Sequence, residues 1–238
     1  MRIPRVTEIP NAMLPLQRLR EEAARDGLHL RGVVAVRDED AVPLLVGGLP
    51  ARALALVGNV GSSLWPAFSA SPELGDGRND PLDRWSRRLG EEVAQRCGGL
   101  ALFPSCGPPH YPFQRWALRT RRLFASPIGL LVDPEYGLWH AFRFAIALPC
   151  EAEDPGPTAD SPCTACSTRP CISACPVSAF VEGEYRIRRC VDHLTVNVDA
   201  PCWRIGCLAR HACPLGQAHR YAPPHAEFHM SAFVAKHR

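Results

Sequence analysis

The sequence predicts an α+β protein, with a mixed α/β domain over residues 1–155 and a small cysteine-rich domain over residues 156–238. Three observations favour this division. Helical and strand patterns share the first part of the chain, and eight of the 11 cysteines fall between Cys163 and Cys213. An acidic segment with Pro and Gly at residues 151–160 lacks periodic apolar residues and is typical of an exposed connector.

Composition narrows the class of protein. A chain of 238 residues with 46% hydrophobic and 21% charged residues is typical of a soluble globular protein. Its net charge of +3 is too balanced for a dedicated nucleic-acid or membrane-surface binder. No apolar run approaches the roughly 20 residues of a membrane span, and residues 1–5 lack the apolar core of a secretory signal. We expect a cytoplasmic protein with reduced thiols, for which metal ligation is the leading explanation.

The predicted elements begin with a helix whose apolar face carries Leu16, Leu19 and Ala23. This helix should end near Gly27, because glycine is a common C-terminal cap. The segment Leu28–Val36 then has the pattern of a strand.

A buried strand is predicted at Ala53–Val57, which is apolar throughout. The following segment, Gly58–Ser63, fits either a tight turn or a loop that binds phosphate through backbone N–H groups. A helix is predicted over Asp80–Cys97, which ends at a Gly pair, with one apolar face: Leu82, Trp85, Leu89 and Val93. The remaining predicted elements are a strand at Leu100–Phe103, a helix at Phe113–Thr120, and a strand pair, Ile128–Val132 with Leu138–Leu148, around the turn Asp133–Gly137.

The chemistry is concentrated in the cysteine-rich region. Cys163, Cys166, Cys171 and Cys175 are followed by Pro176, a pattern that resembles the C-x2-C-x2-C-x3-C-P run of bacterial ferredoxins with two extra residues before the third cysteine. Thiolates on such a tight loop can converge on three corners of one [4Fe–4S] cluster, and the fourth cysteine points elsewhere.

A second group of cysteines supplies the missing corners: Cys190, Cys202, Cys207 and Cys213, the last followed by Pro214. In the crossed arrangement of two-cluster ferredoxins, one cluster takes the fourth cysteine from the other run. This predicts two ligand sets. The first is Cys163, Cys166, Cys171 and Cys213; the second is Cys175, Cys190, Cys202 and Cys207. Structural zinc is the competing explanation, since C-x2-C suits zinc equally, but it accounts for neither the eight cysteines nor the two Cys-Pro endings.

The cysteine-rich region is similar to the two-cluster domain of the epoxyqueuosine reductase family. The resemblance rests on three features: Cys163–Pro176, Cys190 with Leu194-Thr195, and the stretch from Gly206-Cys207 to Cys213-Pro214. The middle cysteine of the family's last segment is absent here, and Arg210 lies about where it would fall. The resemblance therefore implies that Cys202 takes its place.

The resemblance extends upstream through Gly129–Arg143, which is similar to a segment of the same family and of CblC-type cobalamin-processing proteins. Those proteins bind a corrinoid on an α/β scaffold related to flavin nitroreductases. The resemblance implies that electrons pass from a redox partner protein through two clusters to a cobalamin or flavin, for reduction of a small-molecule substrate. The helical repeat domain that epoxyqueuosine reductases use for tRNA has no counterpart here, so we expect no nucleic-acid substrate.

Several further residues have two interpretations. His110, in the Pro- and aromatic-rich segment Gly107–Trp116, is either an axial ligand or part of a rigid loop. The basic group Arg186, Arg188 and Arg189 either steers an acidic electron donor or is a solvated face. The remaining expectations are structural: His140 as an interior histidine, Cys97, Cys106 and Cys150 as buried small residues, and Phe228–Val234 as a tail that packs back onto the body.

Three functions stay open at this level, and no catalytic residue is predicted. The first is a ferredoxin-like electron carrier with a docking domain. The second is a corrinoid- or flavin-dependent reductase. The third is a protein whose clusters are purely structural.

Overall fold

The computed structural model describes residues 13–108, 110–153, 155–156, 159–181 and 184–238. The predictions made on residues 1–5, on Pro109 and on residues 154, 157 and 158 of the connector lie outside this description. The chain divides into two compact units, each built from three segments. The first comprises Met1–Gly58, Ala70–Pro112 and Phe142–Asp154; the second comprises Asn59–Ser69, Phe113–Ala141 and Pro155–Arg238. The division at residues 155/156 stays a prediction.

The protein is a mixed α/β structure with antiparallel sheets. The helices are α1 (Met13–Ala24), α2 (Trp65–Ser69), α3 (Pro72–Gly75), α4 (Pro81–Cys97), α5 (Phe113–Arg119), α6 (Pro170–Ser173), α7 (Ile187–Val196), α8 (Pro201–Ile205), α9 (Leu208–His211) and α10 (Pro223–His237), with 3₁₀ turns at Asp38–Asp40 and Gln217–His219. The strands are β1 (His29–Ala35), β2 (Ala53–Val60), β3 (Leu100–Leu102), β4 (Phe124–Ala125), β5 (Leu131–Val132), β6 (His140–Leu148), β7 (Phe180–Val181) and β8 (Glu184–Tyr185). No described helix is both long and apolar enough to cross a membrane.

A four-stranded sheet, in the order β1-β2-β6-β3, organises the first unit. Strand β2 is buried from Ala53 to Asn59, which explains its unbroken apolar run. It continues three residues beyond the predicted end at Val57, so the predicted turn starts at Gly61 rather than at Gly58.

Helix α4 confirms the predicted amphipathic helix. Its four predicted apolar residues are all buried, and the helix ends at Gly98, whose φ of 66° is the left-handed conformation that glycine adopts without strain. A second glycine allows close packing, because a Cβ at Gly90 would lie 2.7 Å from the ring of Phe103 and 3.1 Å from that of Phe144.

The predicted pairing of Ile128–Val132 with Leu138–Leu148 is wrong. Strand β5 pairs with β4 instead, and β6 pairs with β3 in the large sheet. The physical reason is that Phe144–Leu148 is completely buried and has no polar face, which suits the interior of a sheet rather than a hairpin. The turn itself is present, since Asp133 and Gly137 form a single antiparallel bridge.

Short elements dominate the second unit, where α10 packs against α7 and α8. Met230 and Val234 of α10 are buried together with Leu194, Ala200 and Cys202. This packing confirms the prediction that the C-terminal segment docks onto the body of the protein.

Candidate functional site

Four cysteines line one small cavity of the second unit. These are Cys163, Cys166, Cys171 and Cys213, and the cavity has a volume of about 240 Å³. Its other walls are mainly apolar and include Pro127, Val132, Leu138 and Leu215. The four residues are the set that the crossed arrangement assigns to the first cluster.

The local chain geometry explains how these thiols meet. Cys163 and Cys166 lie on a turn in which the Cys166 N–H donates to the Cys163 carbonyl. Arg169, in the left-handed conformation, precedes α6, and Pro170 places Cys171 in the first turn of that helix. Cys213 comes from the other end of the region, just after α9.

Burial raises the pKa of the Cys163 and Cys171 thiols above the usual range, and the neighbouring cysteine thiolates raise it further. Each cysteine that contributes belongs to the same set of four, and a hydrogen bond with Ser161 and the charge of Arg169 partly offset the rise in the pKa of Cys163. Several thiolates crowded into an apolar cavity repel one another, so a positively charged partner is needed to hold them deprotonated.

The second predicted set also lies together. Burial raises the pKa of Cys190 to about 11; a hydrogen bond with Tyr185 lowers it, and the charges of Cys207, Cys175 and Cys202 raise it again. Cys202 is buried in α8, against the cluster of apolar residues on α10 and α7. Cys175 and Cys207 pack against the apolar cluster that contains Cys171, so the two sets adjoin.

Backbone N–H groups point at sulfurs of the second set. The Ala179 N–H donates to the Cys175 Sγ over 3.3 Å. Burial raises the pKa of Cys207, and backbone hydrogen bonds from Arg210 and Ala209 partly offset that effect. N–H donors of this kind favour the thiolate, which is the ligand form of cysteine.

No group of three or more His, Cys, Asp or Glu side chains lies close enough to hold a metal ion within the described ranges. A single zinc ion with Zn–S bonds of roughly 2.3 Å would require sulfurs only about 3.8 Å apart. The structure thus places the cysteines of each set near one another. Their ligation of clusters stays a prediction.

Arg210 has a packing role at the position where the resemblance places a cysteine. Its guanidinium carbon lies 4.5 Å from the ring centre of Trp139 and 4.3 Å from that of Tyr221. Its Nε donates to the Leu138 carbonyl over 2.8 Å. The side chain is therefore tied into an aromatic core.

The turn after β2 belongs to a polar network. Ser62 Oγ accepts the Ala222 N–H over 2.8 Å and lies 3.0 Å from His225 Nδ1, and the Nε2 atoms of His225 and His229 are 3.0 Å apart. A Cβ at Gly61 would lie 2.8 Å from the His219 carbonyl oxygen. These contacts favour a packed turn over the phosphate loop, and the sequence offered no signal for the histidine pair.

The other candidate residues make structural contacts. His110 Nδ1 lies 3.0 Å from the Cys106 carbonyl, and His140 Nε2 lies 3.0 Å from the Leu131 carbonyl. In the basic group, Arg186 pairs with Glu184 and Arg188 with Asp192. The prediction that Cys97, Cys106 and Cys150 are buried is wrong: all three are partly exposed, near the surface of the first unit.

Sequence comparison gives no match for this chain, either to a family model or to a curated protein. Structural comparison finds solved proteins with a similar fold. The chain is similar to a B12-trafficking protein, CblC of C. elegans, with a TM-score of 0.50 and 13% identity over 94% of this chain and 95% of that one.

It is also similar to an epoxyqueuosine reductase solved with an epoxyqueuosine-modified tRNA stem loop. That match has a TM-score of 0.50 and 17% identity, and it covers 91% of this chain and 69% of that one. At these identities the likeness establishes the fold alone. These two solved proteins represent the two kinds of protein that Gly129–Arg143 and the cysteine-rich region resemble in sequence.

Proposed function

We propose that this chain is an iron–sulfur electron-transfer protein that feeds a reductive reaction, and that the two sets of cysteines each hold a [4Fe–4S] cluster. The observation that carries the proposal is the crossed grouping. Cys213 lies with Cys163, Cys166 and Cys171, and Cys175 lies with the cysteines that follow it. A sequential grouping would instead have kept Cys175 with its own run.

The residues present fit such clusters. Each set provides four thiols in a mainly apolar setting, which is the donor set of a cubane cluster. N–H groups next to Cys175 and Cys207 supply hydrogen bonds of the kind that tune such sites.

When bound, such clusters accept and donate single electrons. This chain's own residues would then bind the clusters, exclude water from the first set through Val132, Leu138 and Leu215, and keep the two sets adjacent. A redox partner protein would supply the electrons, and the substrate would be a small molecule.

A corrinoid-dependent reductase is the second candidate, because a B12-trafficking protein shares the fold over nearly the whole of both chains. The described residues do not identify a site for the group. The cavity beside Cys202 has a volume of about 610 Å³, within the range of roughly 300–1,000 Å³ that suits drug-sized ligands. Cobalamin is larger than such ligands, so this cavity does not identify a site for it. We assign no step to a corrinoid.

Oxygen-free purification followed by reductive titration tests the proposal. We expect broad iron–sulfur absorption that bleaches on uptake of about two electrons per chain, one for each cluster. Cys171→Ser and Cys190→Ser should each remove about half of this absorption, and Cys97→Ser should remove none.

Absence of the broad absorption in wild-type protein would contradict the proposal. Absorption that no reductant bleaches would favour structural clusters instead. Adding aquocobalamin or FMN to the same material separates the remaining candidates, because a spectral shift at equimolar cofactor favours the cofactor-dependent reductase and its absence favours the electron carrier.

A further inference from the structure

Two histidines of helix α10 form a hydrogen-bonded pair next to the turn that follows β2. The Nε2 atoms of His225 and His229 are 3.0 Å apart. His225 is fully buried, and His229 is partly exposed. The Nδ1 of His225 lies 3.0 Å from the Ser62 Oγ, and the same Oγ accepts the Ala222 N–H over 2.8 Å. Both nitrogen atoms of the buried ring are therefore used in hydrogen bonds.

Aromatic side chains pack on the buried histidine. The rings of Tyr221 and Trp65 are both stacked on His225, with their centres 4.1 Å and 5.1 Å from its own. The Tyr221 hydroxyl accepts a hydrogen bond from the Asn59 Nδ2 over 3.3 Å. Because these rings replace the water that hydrates a histidine in the unfolded chain, an extra charge in this place is costly.

The charges near the pair are mainly positive. The Arg210 guanidinium carbon lies 4.3 Å from the centre of the Tyr221 ring, which is itself stacked on His225. Helix α10 also packs against α7 and α8. Apart from the cysteines and the pair itself, the titratable side chains of these three helices are Arg188, Arg189, Asp192, His193, Arg204, Glu227, Lys236 and His237. The positive charge of Arg210 disfavours additional protons on the histidines.

The geometry limits the number of protons that the pair can hold. A hydrogen bond between two ring nitrogens needs one N–H and one bare nitrogen. When both rings are neutral, one proton lies in the Nε2···Nε2 bond, and a proton added to the bare Nδ1 leaves that bond intact. A second added proton would place an N–H on both Nε2 atoms, so that two donors with like charges would face each other.

We propose that the histidine pair is a pH-sensitive device, in which the folded protein accepts one added proton and a second proton releases the start of α10 from the turn after β2. The unfolded chain binds both protons below about pH 6.5, the ordinary value for histidine. The unfolded state then holds more protons than the folded state, so stability is lost as the pH falls below this value. This inference does not depend on cluster binding.

Release of α10 would also reach the second cysteine set. Met230 and Val234, further along the same helix, are buried together with Cys202. Loosening the helix removes part of the apolar packing around that thiol.

Nitrogen-15 NMR of the histidine rings in the full chain counts the protons directly. Between about pH 8 and about pH 5 we expect the pair to take up one proton, and one of its Nε2 atoms to stay bare while α10 remains folded. Two fully protonated rings in folded protein at about pH 5 would overturn the proposal. Uptake of no proton would overturn it as well. Because this measurement uses wild-type protein, it decides the question even where a variant does not fold.

His229→Gln removes the site of the second proton and keeps a side chain that can donate to, or accept from, the Nε2 of His225. The folding equilibrium constant of wild type relative to this variant should fall about tenfold for each pH unit below about pH 6. His237→Gln, which changes another histidine of the same helix, is the matched control and should keep the wild-type pH dependence. Equal pH dependence in wild type and His229→Gln would contradict the proposal.

Amide hydrogen exchange locates the change. Exchange in the first turns of α10 should quicken in wild type as the pH falls, beyond the intrinsic effect of pH seen in His229→Gln. Protection that stays equal in the two proteins would mean that the pair does not control the start of this helix.

Discussion

The sheet of the first unit and the cysteine segment of the second, residues 163–213, differ in what their interiors contain. Around the sheet, Leu54, Val57 and Phe144 are fully buried, and Gly90 of the amphipathic helix α4 packs against Phe144. In the cysteine segment, Cys171 and Cys202 are core residues and other thiols pack beside them. The first region has the apolar burial that folding requires, and we expect the order of the second to depend on the clusters that we propose its sulfurs bind.

The two regions also differ in the length of their helices. Helix α4 has 17 residues, but α6 and α9 have four each and α8 has five. Helices this short do not form by themselves in water, because the first hydrogen-bonded turn costs more than it gains. We therefore expect cluster binding to fix the cysteine segment and to leave the sheet region unaffected.

Cys163→Ser gives the largest expected effect. Losing one ligand should remove one cluster and leave the C-terminal region open to proteases, since a bound cluster would replace part of its core. Limited proteolysis with iron analysis measures both, and Cys150→Ser in the first unit is the matched control. Unchanged iron content together with unchanged protease resistance would contradict this dependence.

Phe144→Ala tests the sheet of the first unit. Phe144 is fully buried beside Gly90 and Phe103, so the cavity left behind should lower the free energy of unfolding by about 3–5 kcal/mol. Denaturant unfolding followed by tryptophan fluorescence measures this loss. Iron content per folded chain should stay at the wild-type level, and a loss of iron comparable to that in Cys163→Ser would break the distinction between the regions.

Arg210→Lys should have a smaller effect, about 1–2 kcal/mol in the free energy of unfolding. Lysine cannot keep the planar stacking on Trp139 and Tyr221 or the Nε donation to the Leu138 carbonyl. Thermal unfolding should shift by roughly 2–4 °C per kcal/mol. The exposed Arg204 serves as the control through Arg204→Lys, and equal shifts in both variants would contradict a specific role for Arg210.

Glu73→Gln should give the smallest effect, below about 1 kcal/mol, because the partner Arg88 is substantially exposed. The hydrogen bond from Arg88 lowers the pKa of the buried Glu73 carboxyl below 4.5, its value when unfolded. A lowered pKa in the folded state means that the contribution is present above the unfolded pKa and is lost as the pH falls through the folded pKa. The difference between wild type and variant should therefore be largest at neutral pH.

Unfolding measured at pH 7 and at successively lower pH checks this sign. The difference should shrink as the pH falls below about 4.5. Glu91→Gln, which changes an exposed carboxyl on α4, the helix that carries Arg88, is the control. A difference that grows in acid would contradict the assigned pKa direction.

Local elements of the first unit were predictable because they depend on nearby residues. The apolar face of α4 and the unbroken apolar run of β2 each specify one element. Strand pairing was not predictable in the same way: β6 pairs with strands distant in sequence, and nothing in Leu138–Leu148 identifies its partner. Pairing depends on the packing of the whole sheet rather than on a local pattern.

The crossed arrangement of two-cluster ferredoxins predicted that Cys213 groups with the first run, and the structure places Cys213 beside Cys163, Cys166 and Cys171. Ligation of clusters by the two sets stays a prediction. The paired His225 and His229 were missed, because a spacing of four places both on one helix face but does not distinguish a hydrogen-bonded pair from two separate histidines.

The most direct test of two [4Fe–4S] clusters is the amount of iron, acid-labile sulfide and zinc per chain in protein purified without oxygen. Two clusters predict about eight iron atoms and about eight sulfides for each chain, with negligible zinc. One or two zinc atoms without sulfide, or negligible iron in folded protein, would contradict the account.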